Sequence, residues 1–277
     1  MAVCLYVALM IALLLHARLT MSAASAACRL FVTAVLPGLF PYMVLSQMAV
    51  SRIKQPSPVL IMLLGWGGGS PTGARLLPLC TGLSHREQVR LAVSCATMSP
   101  MFLLGTVGRW LKSSLAGAVC LLSVIAGGWL TGIIAGACSH TSNSAFRIPH
   151  SEFPSLSFGA AVEQSARTML LVCGTMVMLR VFAALAAQCL PQGLVLPVTT
   201  LLEVTTGAAA IAELPLPLML RTAFIAGATG FGGMAIALQN RAVYPSGFMP
   251  LWQQMAWQAL HGCISGLLAL GMTWMLC

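Results

Sequence analysis

The architecture of this chain depends on one stretch, Gly65-Trp66-Gly67-Gly68-Gly69-Ser70-Pro71-Thr72-Gly73-Ala74-Arg75. Its repeated glycines and its proline interrupt a helix, because glycine adds backbone freedom and proline removes a hydrogen-bond donor. Mainly apolar residues flank it on both sides, over 58–64 and 76–83. The pattern predicts a half-helix, an irregular stretch and a second half-helix. Irregular backbone at membrane depth is tolerated only where it is buried in protein or lines a wet cavity.

The composition of the whole chain places this stretch in a membrane protein. Of 277 residues, 58% are hydrophobic and 7% are charged, whereas about 25% of the residues in a soluble domain are charged. Too few polar side chains remain to cover a water-soluble surface, which excludes a compact soluble enzyme and a disordered chain. We therefore expect an all-α, polytopic transmembrane helical bundle, a single membrane domain over 1–277 that crosses a cell membrane several times.

The charged and metal-binding residue types exclude several function classes. The net charge is +9, but the basic residues are scattered singly between apolar runs, which indicates charges that set membrane topology rather than a nucleic-acid surface. The ten Cys show no C-x-x-C spacing, so we expect no metal site and no cofactor. The chain has no Asp, and no nucleophile, base and orienting group form a motif, so we expect no enzyme.

Several apolar runs have no predicted break, although one of them, 167–190, contains Arg180 near its middle. An N-terminal helix is expected over 1–15. The absence of a positive charge before its apolar core favours an uncleaved helix, whereas the small residues in 22–27 would permit cleavage. The runs 113–138, 167–190 and 248–276 are each long enough to cross a bilayer. The one long polar stretch, 139–157, is expected to be an exposed loop that joins two halves.

Other runs contain helix-breaking residues. Pro37 and Pro41 lie within 30–50 and predict a kinked or broken helix there. The run 89–108 is interrupted at Ser99-Pro100.

Two parts of the chain resemble each other. Pro71-Thr72-Gly73-Ala74 matches Thr205-Thr206-Gly207-Ala208, 134 residues later. Ala96-Thr97 matches Ala228-Thr229, 132 residues later. The shared order of these matches predicts an internal repeat.

The predicted repeats are 30–110 and 165–242, and we expect the second to be inverted. Each holds one full helix and two Gly/Pro-broken, re-entrant segments. Residues 111–164 supply a connecting helix and the polar loop, and 243–277 supply a C-terminal helix. Interrupted segments at corresponding positions of two halves point to the substrate site of a transporter.

Broken helices place helix ends inside the membrane, and N-terminal ends suit an anion because their N–H groups and dipole are positive. We therefore predict one shared substrate site, near the ends at 70–73, 97–99, 205–207 and 229–232. For any single hydroxyl in it, helix capping is the alternative role. The predicted site residues are Ser70, Thr72, Gly73, Arg75, Thr97, Ser99, Arg180, Glu203, Thr205, Thr206, Gly230, Gly232 and Gln239.

The charged members of this set suggest the cargo. Guanidinium groups bind carboxylates in a two-pronged fashion, so Arg75 and Arg180 suit a small carboxylate anion, although Arg75 could instead extend to the interface. Glu203 lies within a span, where an ionisable group is a functional hypothesis by default. Proton coupling is one role for it, and a buried ion pair with Arg180 or Arg75 is the alternative. His261 is interpreted as a satisfied core group.

Five motifs occur in order between about Leu30 and Gln239. They are Val35-Leu36-Pro37-Gly38-Leu39-Phe40-Pro41-Tyr42, Gly69-Ser70-Pro71-Thr72-Gly73-Ala74-Arg75, Ser99-Pro100-Met101-Phe102-Leu103-Leu104-Gly105-Thr106-Val107-Gly108, Leu202-Glu203-Val204-Thr205-Thr206-Gly207 and Gly230-Phe231-Gly232-Gly233. Together they resemble the YlbJ family of sporulation integral membrane proteins, built on the nucleoside recognition (Gate) domain. Members often carry Gly-Tyr-Pro and a Lys where this chain has Gly69-Ser70-Pro71 and Arg75, which leaves the substrate open.

The resemblance implies a transporter that takes up dipicolinate, a small aromatic dicarboxylate, across a forespore membrane during sporulation. The name of the domain implies nucleosides as an alternative cargo, and a non-transporting scaffold or assembly partner is a third interpretation. The expected partners are a small-molecule anion and the lipid bilayer, with a homo-oligomer left open.

Overall fold

The computed structural model describes residues 2–53, 55–80, 82–139 and 156–276, and every regular element in those residues is a helix. The α-helices are α1 (Ala2–Leu15), α2 (Ala17–Leu30), α3 (Leu36–Ser51), α4 (Pro58–Gly68), α5 (Thr72–Leu76), α6 (His85–Ser94), α7 (Gly108–Trp110), α8 (Ser114–Cys138), α9 (Phe158–Ala187), α10 (Gln192–Leu202), α11 (Val204–Ala212), α12 (Leu218–Phe231), α13 (Gly233–Val243) and α14 (Leu251–Leu276). The all-α fold class is confirmed. Most of the predicted polar loop lies outside the described residues.

Five helical stretches are long and apolar enough to cross a membrane. They are Ala17–Ser51, Ser114–Cys138, Phe158–Ala187, Leu218–Val243 and Leu251–Leu276. Their length and composition are those of a multi-pass membrane protein.

The prolines do not break the first of these helical stretches. The chain stays helical from Ala17 to Ser51, with a π-helical turn at Phe31–Val35 just ahead of Pro37. The Leu36 N–H donates to the Phe31 carbonyl, five residues back. A proline ring collides with the carbonyl four residues before it, and a widened turn makes room for that ring. The predicted disturbance is therefore a local widening, and the span begins earlier than the sequence suggested.

The glycine-rich stretch does end a helix, as predicted. α4 stops at Gly68, and the chain continues through Gly69, whose φ of 68° lies in the left-handed region. The helix that follows, α5, is only 5 residues long and passes into a 3₁₀ turn at Leu77–Leu79. The second half-helix is thus much shorter than the apolar run suggested.

α6 begins with a capping box and ends at Ser94, five residues before the interruption that the sequence predicted at Ser99-Pro100. The Ser84 hydroxyl and backbone N–H donate to Glu87 Oε2 at 2.7 and 2.8 Å. Both hydrogen bonds lower the pKa of the Glu87 carboxyl, and the bond from the Ser84 hydroxyl has the larger effect. The chain unwinds after Ser94 and becomes helical again at Pro100, with a second π-helical turn at Phe102–Val107.

Small residues let α8, α12 and α14 approach closely. A Cβ added to Gly127 of α8 would lie 2.3 Å from Ser265 Oγ of α14. One added to Gly262 of α14 would lie 2.7 Å from the Gly227 carbonyl oxygen of α12. Close backbone contact through small residues is the usual way in which membrane helices associate, and here it fixes the position of α14.

Candidate functional site

The first break packs directly against the interruption after α6. The Ser70 N–H donates to the Thr97 carbonyl at 2.7 Å. A Cβ on Gly69 would lie 2.5 Å from Ser99 N, so this crossing requires glycine. Ser99 Oγ accepts the Phe102 N–H at 3.3 Å, which is the helix-capping role rather than a free ligand-binding hydroxyl.

A second crossing has a similar arrangement. The chain breaks between α10 and α11 at Glu203, and α12 passes to α13 through Gly232 and Gly233, whose φ values are 75° and 72°. A Cβ on Gly233 would lie 3.1 Å from the Thr200 and Leu201 carbonyl oxygens.

The two crossings correspond in sequence. Glu203 follows Gly69 by 134 positions, and Gly233 follows Ser99 by the same number. Each crossing therefore joins a broken segment to the next interrupted one in its own half of the chain. The repeat and its inversion both stay predictions.

A hydrogen bond of Ser70 connects the first break to the second half, and a further one joins two helices within that half. Ser70 Oγ donates to Asn240 Oδ1 at 2.9 Å, and Gln239 Nε2 donates to Thr175 Oγ1 of α9 at 2.8 Å. Ser70 thus contacts α13, and Gln239 joins α13 to α9.

Arg75 points at α9. Its Nη1 donates to Thr168 Oγ1 and lies 3.4 Å from the Gln164 carbonyl oxygen. The side chain is half-buried, and no carboxylate lies within 4 Å of it among the described residues. Two positions before it in α5, Gly73 packs on Cys95, while the buried hydroxyl of Thr72 has no hydrogen-bond partner in the described part of the chain.

Glu203 and Arg180 meet the N-terminus of α11 from two sides. The Glu203 carboxylate, 1% exposed, accepts the Thr205 N–H at 3.0 Å, the Thr206 N–H at 2.8 Å and the Thr205 hydroxyl. Arg180 Nη1 donates to Thr206 Oγ1. The alternative of an ion pair between Glu203 and an arginine is not observed. Within the described ranges the one ion pair is Arg167–Glu163, on an exposed face.

The predicted residues do not all converge on one point. Thr168, which holds Arg75, lies 12 positions before Arg180 on α9, about 18 Å along the helix axis at a rise of about 1.5 Å per residue. The contact of Arg75 with α9 and the contact of Arg180 with α11 therefore lie at different positions along the axis of α9.

The expectation for residues 229–232 is wrong in part. Thr229 and Gly230 lie in the last turns of α12, where Thr229 Oγ1 donates to the Ile225 carbonyl at 2.6 Å. That helix end presents carbonyls and a negative dipole, which does not suit an anion. Gly230 packs against Ser265, and Gly232 precedes the N-terminus of α13.

The sequence reasoning did not find Thr168, Thr175 and Asn240. Thr168 and Thr175 are 7 residues apart, so they share one face of α9. Hydroxyls that recur at this spacing within an apolar span were the available signal. Nothing local predicts the contact of Asn240 with Ser70, because the two residues are far apart in the chain.

Comparisons of this chain with family models, with curated proteins and with solved structures found no match. Among the described residues, no group of three or more His, Cys or acidic side chains could hold a metal ion. The functional argument therefore depends on the side chains and on their geometry.

Proposed function

We propose that this protein is an integral membrane carrier for a small organic anion, with dipicolinate as the first candidate. The observation that carries the proposal is Arg75, a half-buried guanidinium beside a helix break that faces hydroxyl and carbonyl groups but no carboxylate in the described ranges.

A cation in this position favours an anionic ligand. A buried charge is costly unless it is paired, and neutral partners such as Thr168 and the Gln164 carbonyl satisfy hydrogen bonds without neutralising the charge. A guanidinium offers several donors in a planar fork that matches a carboxylate. The unpartnered hydroxyl of Thr72, three residues before Arg75, supplies a further donor.

The arrangement of breaks supports transport rather than a purely structural role. Two interrupted segments in each half of the chain cross at Gly69 and at Gly233, within a bundle that has five candidate spans. Paired interruptions of this kind mark substrate sites in secondary transporters. The resemblance to the YlbJ family supports dipicolinate as cargo.

Uptake by purified, reconstituted protein tests the proposal. We expect proteoliposomes to accumulate dipicolinate, and Arg75→Ala to lower uptake by about tenfold or more, because a hydrogen bond to a charged group is lost. Arg75→Lys keeps the charge without the fork and should retain part of the activity. Arg167→Ala, on an exposed face of α9, is the matched control and should leave uptake unchanged.

Three results would contradict the proposal. Folded Arg75→Ala protein with normal uptake would remove the role of the guanidinium. Competition by uridine or adenosine, but not by other pyridine dicarboxylates, would indicate a nucleoside carrier. Neither transport nor a ligand-induced thermal shift with any of these compounds would indicate a scaffold.

A further inference from the structure

A second group of buried polar side chains lies on α14, away from Arg75. Gln254, Gln258, His261 and Ser265 are 4%, 3%, 1% and 0% exposed. Their spacing of four, three and four residues places them on one face of the helix. A polar stripe inside an apolar span needs hydrogen-bond partners, since lipid and apolar side chains supply none.

Most polar atoms of this stripe lack such partners. Both amide atoms of Gln254 and of Gln258, Nε1 of Trp257, Nδ1 of His261 and the hydroxyl of Ser265 have no hydrogen-bond partner among the described residues. The large majority of buried side-chain polar atoms in proteins are hydrogen-bonded. So many unpartnered atoms within three turns of one helix indicate a place where a bound molecule supplies the bonds.

Gln254, Trp257, Gln258 and His261 line one pocket, whereas Ser265 does not. This pocket lies between the end of α6 and the start of α14, where Ala92, Val93 and Ala96 face Gln254, Trp257, Gln258 and His261. The segment between α13 and α14 completes the lining with Tyr244 and Met249. The free space admits about one water molecule, which makes about 2–4 hydrogen bonds. The six unpartnered atoms of Gln254, Trp257, Gln258 and His261 exceed what one water can satisfy.

The chemistry of the lining is neutral and mixed. No Lys, Arg or Glu lines the pocket. His261 Nε2 lies 2.9 Å from the Val124 carbonyl oxygen; because a carbonyl only accepts, Nε2 carries the hydrogen, and Nδ1 of the neutral ring is then an acceptor. The indole N–H of Trp257 is a donor, and the amides of Gln254 and Gln258 supply both donors and acceptors.

We propose that this pocket binds a small neutral solute that carries a donor and an acceptor on adjacent atoms, namely a carboxamide or a lactam. A primary amide pairs with such a group through two parallel hydrogen bonds, and Gln254 and Gln258 present two amides on the same face. An anion would find no cation here and would lose its hydration. Because the free space admits about one water molecule, binding of such a solute requires the side chains of Gln254 and Gln258 to turn about their rotatable bonds. The site does not depend on the anion carrier proposed above.

Three nearly isosteric probes test the proposal on the purified full-length protein. Benzamide has the adjacent donor and acceptor, benzoate is charged, and acetophenone only accepts. We expect saturable binding of benzamide in equilibrium dialysis, with a dissociation constant of about 0.1–10 mM for a molecule of this size. Benzoate and acetophenone should bind at least about tenfold more weakly, since each lacks one interaction.

Two matched variants locate the binding. Gln258→Leu removes two unpartnered atoms at similar volume, so the melting temperature should be unchanged or higher while benzamide affinity falls about tenfold or more. Gln254→Leu is the second variant if Gln258→Leu fails to fold. Gln253→Leu changes a neighbouring residue that does not line the pocket, and it should bind benzamide normally.

Each contrary result overturns the proposal. Equal binding of benzoate or acetophenone would exclude selection for a neutral donor and acceptor. Normal benzamide binding by the folded Gln258→Leu or Gln254→Leu protein would place the ligand elsewhere. No saturable benzamide binding by folded protein would reduce the pocket to a site for water.

Discussion

Glu203 shows how a carboxylate is held inside this bundle with no direct ion pair to any described residue. Two backbone N–H groups and one hydroxyl donate to it at the start of α11. An ionised carboxylate only accepts hydrogen bonds, so three donors match it, and the positive end of the α11 dipole adds to the attraction. The residue that the sequence marked as an ionisable group within a span therefore has a structural role as a helix cap.

Replacement of Glu203 by Gln should weaken this cap. The amide keeps one acceptor oxygen but turns an NH₂ donor toward an N–H group, so we expect the free energy of unfolding to fall by about 1–3 kcal/mol. Glu213→Gln is the matched control, since Glu213 is exposed at the other end of α11. Thermal unfolding of both variants in detergent measures the difference. Equal melting temperatures for the two variants would contradict the capping role.

The same residue shows the limit of reasoning from single positions. The charge and the depth of Glu203 suggested either proton coupling or an ion pair, and the observed partners are the Thr205 and Thr206 groups that follow it directly. The usual N-cap residues are Ser, Thr, Asp and Asn, so a Glu at this position gave no local signal of the cap.

At the scale of the elements, breaks in helices occur where two chain segments need close contact. Gly69 adopts a positive φ and touches the backbone at Ser99. The sequence predicted this break from composition, because glycine and proline act locally. The sequence did not predict that Gly69 must also be a glycine because its backbone contacts the backbone at Ser99.

Gly69→Ala should therefore destabilise the protein strongly. The added Cβ would lie 2.5 Å from Ser99 N, and an alanine is strained at a φ of 68°. We expect a loss of about 2–4 kcal/mol in the free energy of unfolding. Gly174→Ala, in α9 with no atom within 4 Å of the new Cβ, should instead be neutral or stabilising by up to about 1 kcal/mol.

Chemical denaturation of both glycine variants checks this prediction. A Gly69→Ala protein as stable as Gly174→Ala would mean that the crossing is not tight. The helical position of Gly174 makes it a control for the loss of glycine as such, since only steric contact and backbone conformation differ between the two sites.

At the scale of the whole molecule, apolar side chains cover the outside while polar ones are buried. Leu170 and Trp274 are 73% and 74% exposed, whereas Gln239 and Gln254 are 3% and 4% exposed. This distribution suits a hydrocarbon environment, in which exposed apolar groups are solvated by lipid and polar groups are retained for internal bonds.

Leu170→Arg should impair membrane insertion. The residue lies near the middle of α9, where a charged side chain costs about 2.5–3.5 kcal/mol on insertion scales. Leu276→Arg is the matched control, because an exposed arginine at the end of α14 can extend to the interface. The amount of each variant in alkali-washed membranes measures insertion. Equal recovery of both would contradict a lipid contact at Leu170.

Composition, the lengths of the apolar runs and the positions of glycine and proline were enough to predict an all-helical membrane protein and the approximate positions of its breaks, including those at Gly69 and near Ser99-Pro100. These features follow from local physics, namely the transfer of apolar residues into lipid and the backbone limits of glycine and proline. The extra helical length before Leu30 and the π turn ahead of Pro37 were missed. α2 is weakly apolar, buries only Ala23 and Ala27 and continues directly into the π turn, so its sequence gives no strong sign of a membrane span.

Only the tertiary structure shows the contacts between residues that are far apart in the sequence. The separation of Arg75 from Arg180 along α9, the bond between Ser70 and Asn240, and the unpartnered amides of Gln254 and Gln258 depend on which helix faces meet. Helix packing brings together residues that are more than 90 positions apart, and no local pattern encodes such a pairing. Whether a polar side chain in an apolar span is a cap, a packing group or a ligand donor is settled by its neighbours in space, because hydrogen bonds inside the bilayer must all be made within the protein or with what it binds.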